Sequence, residues 1–167
     1  YTSLVLRGRE VTDDGIKLLE LCSGLKELHL IETSITDRGM RSIGKISNLR
    51  WLTIDDAAVT TNGISEIANL RKLEGLQILR TKMKDDGFVI LHSFKNLVYL
   101  ESDGCDIGDL GIALIAQATK LGSLKISAPS VRDVSFMAVS LCSRLSKFSF
   151  HAPLVTEQAI DALQKKL

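Results

Sequence analysis

The chain has 167 residues, of which 45% are hydrophobic and 25% are charged, and its formal net charge is +1 at pH 7. Nothing in this balance points to binding of nucleic acid or of an anionic membrane surface. No stretch approaches the ~18 consecutive apolar residues of a membrane-spanning helix.

A period of 24 residues runs through the whole chain, with repeats that start at residues 1, 25, 49, 73, 97, 121 and 145. Positions 4, 11, 16 and 19 of the repeat are apolar throughout, and position 6 is apolar except at Ser102. Position 4, for example, holds Leu4, Leu28, Leu52, Leu76, Leu100, Leu124 and Phe148. Self-similarity at a fixed period predicts that each repeat buries its apolar face against its neighbours.

Each repeat begins with a predicted strand, because positions 4 and 6 are apolar at the spacing of one strand face. A turn of small or polar residues follows, and in the last two repeats Ala128-Pro129 and Ala152-Pro153 end the strand. A helix then begins near position 12, where pairs such as Thr36-Asp37 can cap its free N–H groups. Its positions 16 and 19 face inward.

Position 15 of the repeat is always small, which predicts a close approach between each helix and the neighbouring repeat. This column holds Gly15, Gly39, Gly63, Gly87, Gly111, Ser135 and Ala159.

The repeat unit LxxLxLxxTxITDxGIxxI, seen best in Leu25–Leu30 and Thr33–Met40, resembles the leucine-rich repeat. It is most similar to the "ITDxGL" subtype of F-box-type ubiquitin-ligase receptors and of some bacterial repeat proteins, although the cysteine-containing subtype runs nearer 26 residues. The resemblance implies an α/β solenoid of seven strand-turn-helix units, with a parallel β-sheet on its concave face. Residues 1–167 would form a single leucine-rich-repeat domain. Because the chain begins at Tyr1 and not at Met, we expect it to be the C-terminal part of a longer protein.

Positions 3, 5 and 7 should face concave solvent, since positions 4 and 6 face the core. The predicted partner-binding residues there are Glu27, His29, Trp51, Thr53, Asp55, Gln77, Tyr99, Glu101, Asp103 and Lys125. Trp51 and Tyr99 occupy the same position two repeats apart, with Gly75 between them. This spacing of about 10 Å predicts a notch with an aromatic ring on each side. The alternative is that Trp51 lies flat on the sheet and shields it.

Acidic residues concentrate near the middle of the same face, at Asp55, Glu101 and Asp103. An acidic centre would attract a partner with a basic segment, and a Lys or Arg could enter the notch. The alternative is an ordinary solvated surface.

Catalytic and metal-binding patterns are absent from the sequence. His29 and His151 lie on the concave face but five repeats apart, roughly 24 Å at the spacing of neighbouring strands. Cys22 and Cys142 share an inward helix position, so we expect both to be small residues of the core. Cys105 follows a strand and has no nearby histidine to act as a base. Three cysteines without CxxC spacing predict neither disulfides nor zinc. We therefore expect that the protein is not an enzyme and binds neither a metal nor a cofactor. We also expect it in a reducing intracellular compartment, either cytoplasmic or nuclear.

These observations predict a non-catalytic protein–protein recognition module that binds another protein on its concave face. It would bind a partner or substrate within a larger adaptor such as a ubiquitin-ligase receptor. The alternative is an assembly or scaffolding factor for a multiprotein complex, for instance an organellar one.

Overall fold

The computed structural model of the chain describes residues 2–118 and 120–166. Seven strands form one parallel sheet in chain order, and paired residues of neighbouring strands lie 24 positions apart in the sequence. The strands are β1 (Ser3–Arg7), β2 (Glu27–Ile31), β3 (Trp51–Asp55), β4 (Gly75–Leu79), β5 (Tyr99–Asp103), β6 (Ser123–Ser127) and β7 (Lys147–His151). The predicted α/β solenoid of seven 24-residue units is confirmed.

The helical segments that return the chain to the next strand are short. The α-helices are α1 (Asp13–Lys17), α2 (Asp37–Ile43), α3 (Thr61–Ser65), α4 (Asp109–Ile115), α5 (Asp133–Met137) and α6 (Glu157–Gln164). Segments Leu18–Leu21, Asp85–Ser93 and Ala138–Leu141 are 3-10 helices. A 3-10 helix rises about 2.0 Å per residue against about 1.5 Å for an α-helix, so a short repeat spans the same length with fewer residues.

The core is one continuous column of the predicted inward positions. In the inner repeats the side chains at positions 4, 11 and 16 are fully or almost fully buried. In the first and last repeats Leu4, Leu6, Phe148 and Phe150 are only partly buried. Each of these end repeats has one neighbouring repeat in the structure, so its apolar face is covered on one side only.

Aspartates at position 13 join neighbouring repeats. The carboxylate of Asp37 accepts hydrogen bonds from the N–H and the hydroxyl of Thr60, at 2.8 and 2.6 Å. The same two bonds link Asp13 to Thr36 and Asp133 to Thr156. The sequence predicts Thr and Asp as caps of their own helices, and Thr36 and Thr60 do accept from N–H groups two residues later. The aspartates of these pairs instead accept hydrogen bonds from the threonine of the following repeat.

The small residues at position 15 make room for these aspartates. A Cβ on Gly39, Gly63 or Gly111 would collide with the Asp carboxylate of the preceding repeat, whereas a Cβ on Gly15 would meet nothing within 4 Å. The close approach predicted from the sequence is therefore mainly to a side chain. The last repeat departs from this arrangement. Its position 15 holds Ala159, and its cap residue Thr156 has φ −78°, whereas Thr36 and Thr60 have φ −121° and −107°.

The cysteines divide between core and surface. Cys142 is fully buried, and its Sγ lies 3.8 Å from the carbonyl oxygen of Ile115 in the preceding repeat. Cys105 is buried beside Thr81, with its Sγ 3.5 Å from the carbonyl oxygen of Ile78. Cys22 is exposed. The expectation that Cys22 is a core residue was wrong, because no described repeat precedes the first one to cover it.

Within residues 2–118 and 120–166, no helix combines the length and the apolar character that crossing a membrane requires.

Candidate functional site

Five side chains at position 5 of consecutive repeats form a hydrogen-bonded row across strands β2 to β6. We call His29, Thr53, Gln77, Glu101 and Lys125 the position-5 row. His29 Nδ1 lies 2.9 Å from Thr53 Oγ1, which donates to Gln77 Oε1 at 2.6 Å. Gln77 Nε2 donates to Glu101 Oε2 at 2.6 Å, and Lys125 Nζ lies 2.6 Å from Glu101 Oε1. Five predicted site residues thus form one connected structure.

The direction of these hydrogen bonds follows from the chemistry of the row's neighbours. The indole N–H of Trp51 can only donate, and it points to Gln77 Oε1 at 3.3 Å. An ionised carboxylate can only accept, so the amide nitrogen of Gln77 must face Glu101. Since the Thr53 hydroxyl donates to Gln77, His29 must donate its Nδ1 proton to Thr53. Every donor in the row therefore points toward Glu101.

Glu101 is the buried charge of this face, with 6% of its surface exposed. Burial raises its pKa, but hydrogen bonds from Lys125, Tyr99 and Gln77 outweigh burial, so the pKa of Glu101 lies below its ordinary value. The Tyr99 hydroxyl donates to Glu101 Oε2 at 2.7 Å. Burial and this hydrogen bond raise the pKa of Tyr99 to about 12. Glu101 is thus a paired carboxylate at neutral pH.

Trp51 and Tyr99 contact each other directly. Their ring centroids lie 5.0 Å apart with the ring planes at 32°. Trp51 lies over Gly75, where a Cβ would fall 2.6 Å from Trp51 Cδ2. The prediction of an open notch between the rings was wrong, because the rings lean together into the space that glycine leaves. The alternative, Trp51 lying on the sheet, describes the structure better, although both rings remain half-exposed.

The predicted acidic centre is largely neutralised by basic side chains. Asp55 lies 2.7 Å from Arg80, and the adjacent Asp56 lies 2.6 Å from Arg9. Burial raises the pKa of Asp55, opposed by Arg80. Glu101 is paired with Lys125. Of the three acids that define the predicted centre, Asp103 alone lies in no ion pair with Lys or Arg among the residues that the structure describes.

Arg9 and Arg80 were missed by the sequence analysis because they follow the strand, at positions 9 and 8. Arg80 has a positive φ of 49°, as do Glu32 at 54° and Asp56 at 51°. This backbone conformation is unfavourable for residues other than glycine, by about 1–3 kcal/mol each. It turns the chain sharply at the end of the strand. Glu32, Asp56 and Arg80 all occupy position 8 of the repeat. The pattern of apolar positions does not reveal this turn at position 8.

Accessibility divides the predicted partner-binding residues into three groups. Glu27, Asp103 and Lys125 are exposed; His29, Trp51, Asp55, Gln77 and Tyr99 are half-buried; Thr53 and Glu101 are buried. The expectation that all position-5 side chains face solvent was wrong for Thr53 and Glu101. Contacts with neighbours in the row, together with the rings above, cover these two residues.

The Nδ1 partner of His29 is a threonine hydroxyl, and no group of three or more His, Cys, Asp or Glu residues in the described part of the chain could hold a metal ion.

Solved structures similar to this chain include two internalins from Listeria monocytogenes strain 4b F2365. Internalin C2 is 17% identical with a TM-score of 0.64, and the match covers 97% of this chain and 76% of that one. A second internalin is 16% identical with a TM-score of 0.50, and the match covers 88% of this chain and 54% of that one. No protein-family profile and no curated protein sequence matches the chain. At this identity the likeness concerns the fold, which is the leucine-rich-repeat solenoid.

Proposed function

From a leucine-rich-repeat solenoid with this concave face, we propose a non-catalytic protein–protein recognition module whose partner docks on that face. The observation that carries the proposal is the half-exposed pair of Trp51 and Tyr99 at the centre of the sheet. Large aromatic side chains at the centre of a surface are the residues that most often dominate protein–protein binding.

The aromatic pair is held in place before any partner arrives. Trp51 donates to Gln77 and Tyr99 donates to Glu101, and both acceptors belong to the position-5 row. Side chains that are already ordered lose little conformational entropy on binding. A partner can therefore gain contact with two rings without the cost of fixing them.

The ring contact changes the chemistry proposed for the partner. A Lys or Arg side chain cannot enter between two rings whose centroids lie 5.0 Å apart, so the partner would pack on their outward surfaces. Glu27 and Asp103 are exposed carboxylates on the same face. A basic segment of the partner could reach them there, since surface charges of opposite sign mainly accelerate association.

Affinity measurements on a captured partner test the proposal. Trp51→Ala should weaken binding by 30-fold or more, on the order of the ≥ 2 kcal/mol expected of a central aromatic anchor. Val134→Ala is the matched control, because Val134 is 88% exposed on a helix outside the sheet. Thermal melting of both variants separates lost contact from lost stability, since Trp51 also covers Gly75. Unchanged affinity in a folded Trp51→Ala protein would move the binding site off the concave face.

Two settings for such a module are proposals that rest on the repeat subtype. One is partner or substrate binding within a ubiquitin-ligase receptor, and the other is assembly or scaffolding of a multiprotein complex. Affinity purification of the protein from its own cells distinguishes them. Ubiquitin-ligase subunits among the co-purified proteins would support the first setting, and a stoichiometric complex without them would support the second.

A further inference from the structure

The basic side chains of the chain are concentrated on one edge of the solenoid. Positions 21–24 and 1–2 of the repeat lead from each helical segment into the next strand, so they lie at the edge where the parallel strands begin. These positions hold ten of the 21 Lys and Arg residues of the chain, against one of its 20 Asp and Glu residues. The net charge of +1 conceals this separation, because the acids are concentrated at the other positions. We call this surface the basic edge, and its cations are Lys26, Lys45, Arg50, Arg71, Lys72, Lys95, Lys120, Arg144, Lys165 and Lys166.

Hydrogen bonds between repeats join these positions into one continuous surface. From Lys26 to Ser146, the backbone N–H at position 2 donates to the position-2 carbonyl of the preceding repeat, at 2.7 to 2.9 Å. Side chains add to this stacking, since Lys72 Nζ donates to Asn48 Oδ1 of the preceding repeat at 2.6 Å. The cations therefore form a row along the whole sheet, roughly 30 Å long at about 4.8 Å per strand.

Most cations of the basic edge are not neutralised by a neighbouring acid. Lys45 pairs with Glu20 and Arg50 pairs with Glu74, whereas the other eight lie in no ion pair among the residues that the structure describes. All eight are exposed. Like charges in an exposed row repel one another, and pairing with an anionic surface removes this repulsion.

Exposed aliphatic side chains lie beside these cations. Leu21 and Leu141 are the last residues of 3-10 helices and are 85% and 64% exposed. The other five repeats hold a polar residue at this position, so the repeat pattern does not require leucine. Val98, at position 2, is also exposed. Basic and aliphatic side chains together are typical of surfaces that lie on anionic membranes, because the cations meet the headgroups while the aliphatic chains enter the boundary with the acyl chains.

Other polyanions fit the basic edge less well. Single-stranded nucleic acid is bound by stacking its bases on aromatic rings, and the aromatic residue among the described residues of this edge, Phe94, is buried. A nucleic-acid duplex or an acidic protein segment would pair with the cations but would leave Leu21 and Leu141 without a role.

We propose that the basic edge binds an anionic membrane surface, with lipid headgroups paired to its cations and with Leu21 and Leu141 inserted at the lipid interface. The contact is peripheral. It does not use the rings of Trp51 and Tyr99, so it stands or falls independently of the recognition function.

The experiment measures co-sedimentation of the chain with vesicles of phosphatidylcholine alone and with vesicles of equal parts phosphatidylcholine and phosphatidylserine. The wild type should bind the anionic vesicles and not the neutral ones, and added salt should weaken the binding. Lys72→Gln combined with Lys95→Gln should weaken it about tenfold or more, since one Lys or Arg contributes about fivefold at such a surface. Leu21→Ser combined with Leu141→Ser should weaken it by about tenfold.

Matched control variants change the same kinds of residue away from the basic edge. Lys82→Gln combined with Lys84→Gln removes two exposed lysines at positions 10 and 12. Val134→Ser removes an aliphatic side chain that is 88% exposed at position 14. Both controls should bind anionic vesicles as the wild type does, and all variants should keep the wild-type melting temperature, because every change is at an exposed residue.

Three results would overturn the proposal. The first is that the wild type binds both kinds of vesicle equally or binds neither. The second is that a control variant weakens binding as much as its counterpart on the basic edge. The third is that loss of both leucines leaves vesicle binding unchanged, which would assign the basic edge to an acidic protein segment or a nucleic acid instead.

Discussion

The carboxylate of Asp37 occupies the space in which a side chain at Gly63 would lie. A Cβ on Gly63 would meet Asp37 Oδ1 at a distance that real contacts do not show, and Asp37 Cγ and Val59 Cγ1 at 3.0 Å. The same carboxylate accepts two hydrogen bonds from Thr60. The glycine column and the aspartate column are therefore two halves of one contact between repeats.

Gly63→Ala should destabilise the protein by roughly 1–3 kcal/mol, because the methyl group displaces Asp37 or forces the repeats apart. Gly63→Leu should cost more. Gly15→Ala is the matched control, since the space around Gly15 is open, and it should stabilise its helix by about 0.5–1 kcal/mol. Denaturant unfolding measures both changes. Equal effects at the two positions would contradict the account of the carboxylate contact.

Glu101→Gln should reduce the loss of stability in acid. The pKa of Glu101 is lowered in the folded state, so its ionised form contributes stability above its ordinary value of 4.5. That contribution is lost as the pH falls through the lower folded-state pKa. The wild type should therefore lose more unfolding free energy than the variant as the pH falls from neutral to below 4.5. Glu27→Gln, at an exposed residue of β2, should leave the wild-type slope unchanged.

Tyr99 should ionise only at strongly alkaline pH. Its pKa is raised to about 12 by burial and by its hydrogen bond to Glu101. A difference titration of tyrosinate absorbance, wild type minus Tyr99→Phe, should show the transition there in the folded protein. Because the unfolded tyrosine ionises first, stability should fall as the pH rises from the ordinary value of 10.0 toward 12 and level off above it. A transition near pH 10.0 while the chain is folded would contradict both the burial of Tyr99 and its hydrogen bond to Glu101.

A thiol reagent should find one reactive cysteine in the native protein. Cys22 is exposed, whereas Cys105 and Cys142 are buried, and burial raises the pKa of the Cys142 thiol. Thiolates and not thiols react, so both position and pKa protect Cys142. Colorimetric thiol titration should give one fast equivalent per chain, and three after denaturation. Cys22→Ser should abolish the fast equivalent, and two fast equivalents in the wild type would contradict the buried placement.

Almost all of the fold could be predicted from the sequence. The apolar residues at positions 4 and 6 recur without insertion, so strand direction, parallel pairing and the 24-residue register all follow from one period. The concave position of His29, Gln77 and Lys125 follows from the alternation of a strand. These features depend on backbone spacing and on burial of apolar surface, both of which the order of residues specifies.

Which side chains of the candidate site touch, form ion pairs or become buried was decided by the tertiary structure. Trp51 and Tyr99 share a repeat position, but whether their rings stand apart or touch depends on how both lean over Gly75. Asp55 belongs to an acidic group in the sequence, and in the fold it is paired with Arg80. Glu101 is charged and on the concave face, but its row neighbours and Tyr99 bury it. A period places side chains on a face, whereas rotamers and hydrogen bonds between repeats determine which of them meet and which remain free to bind.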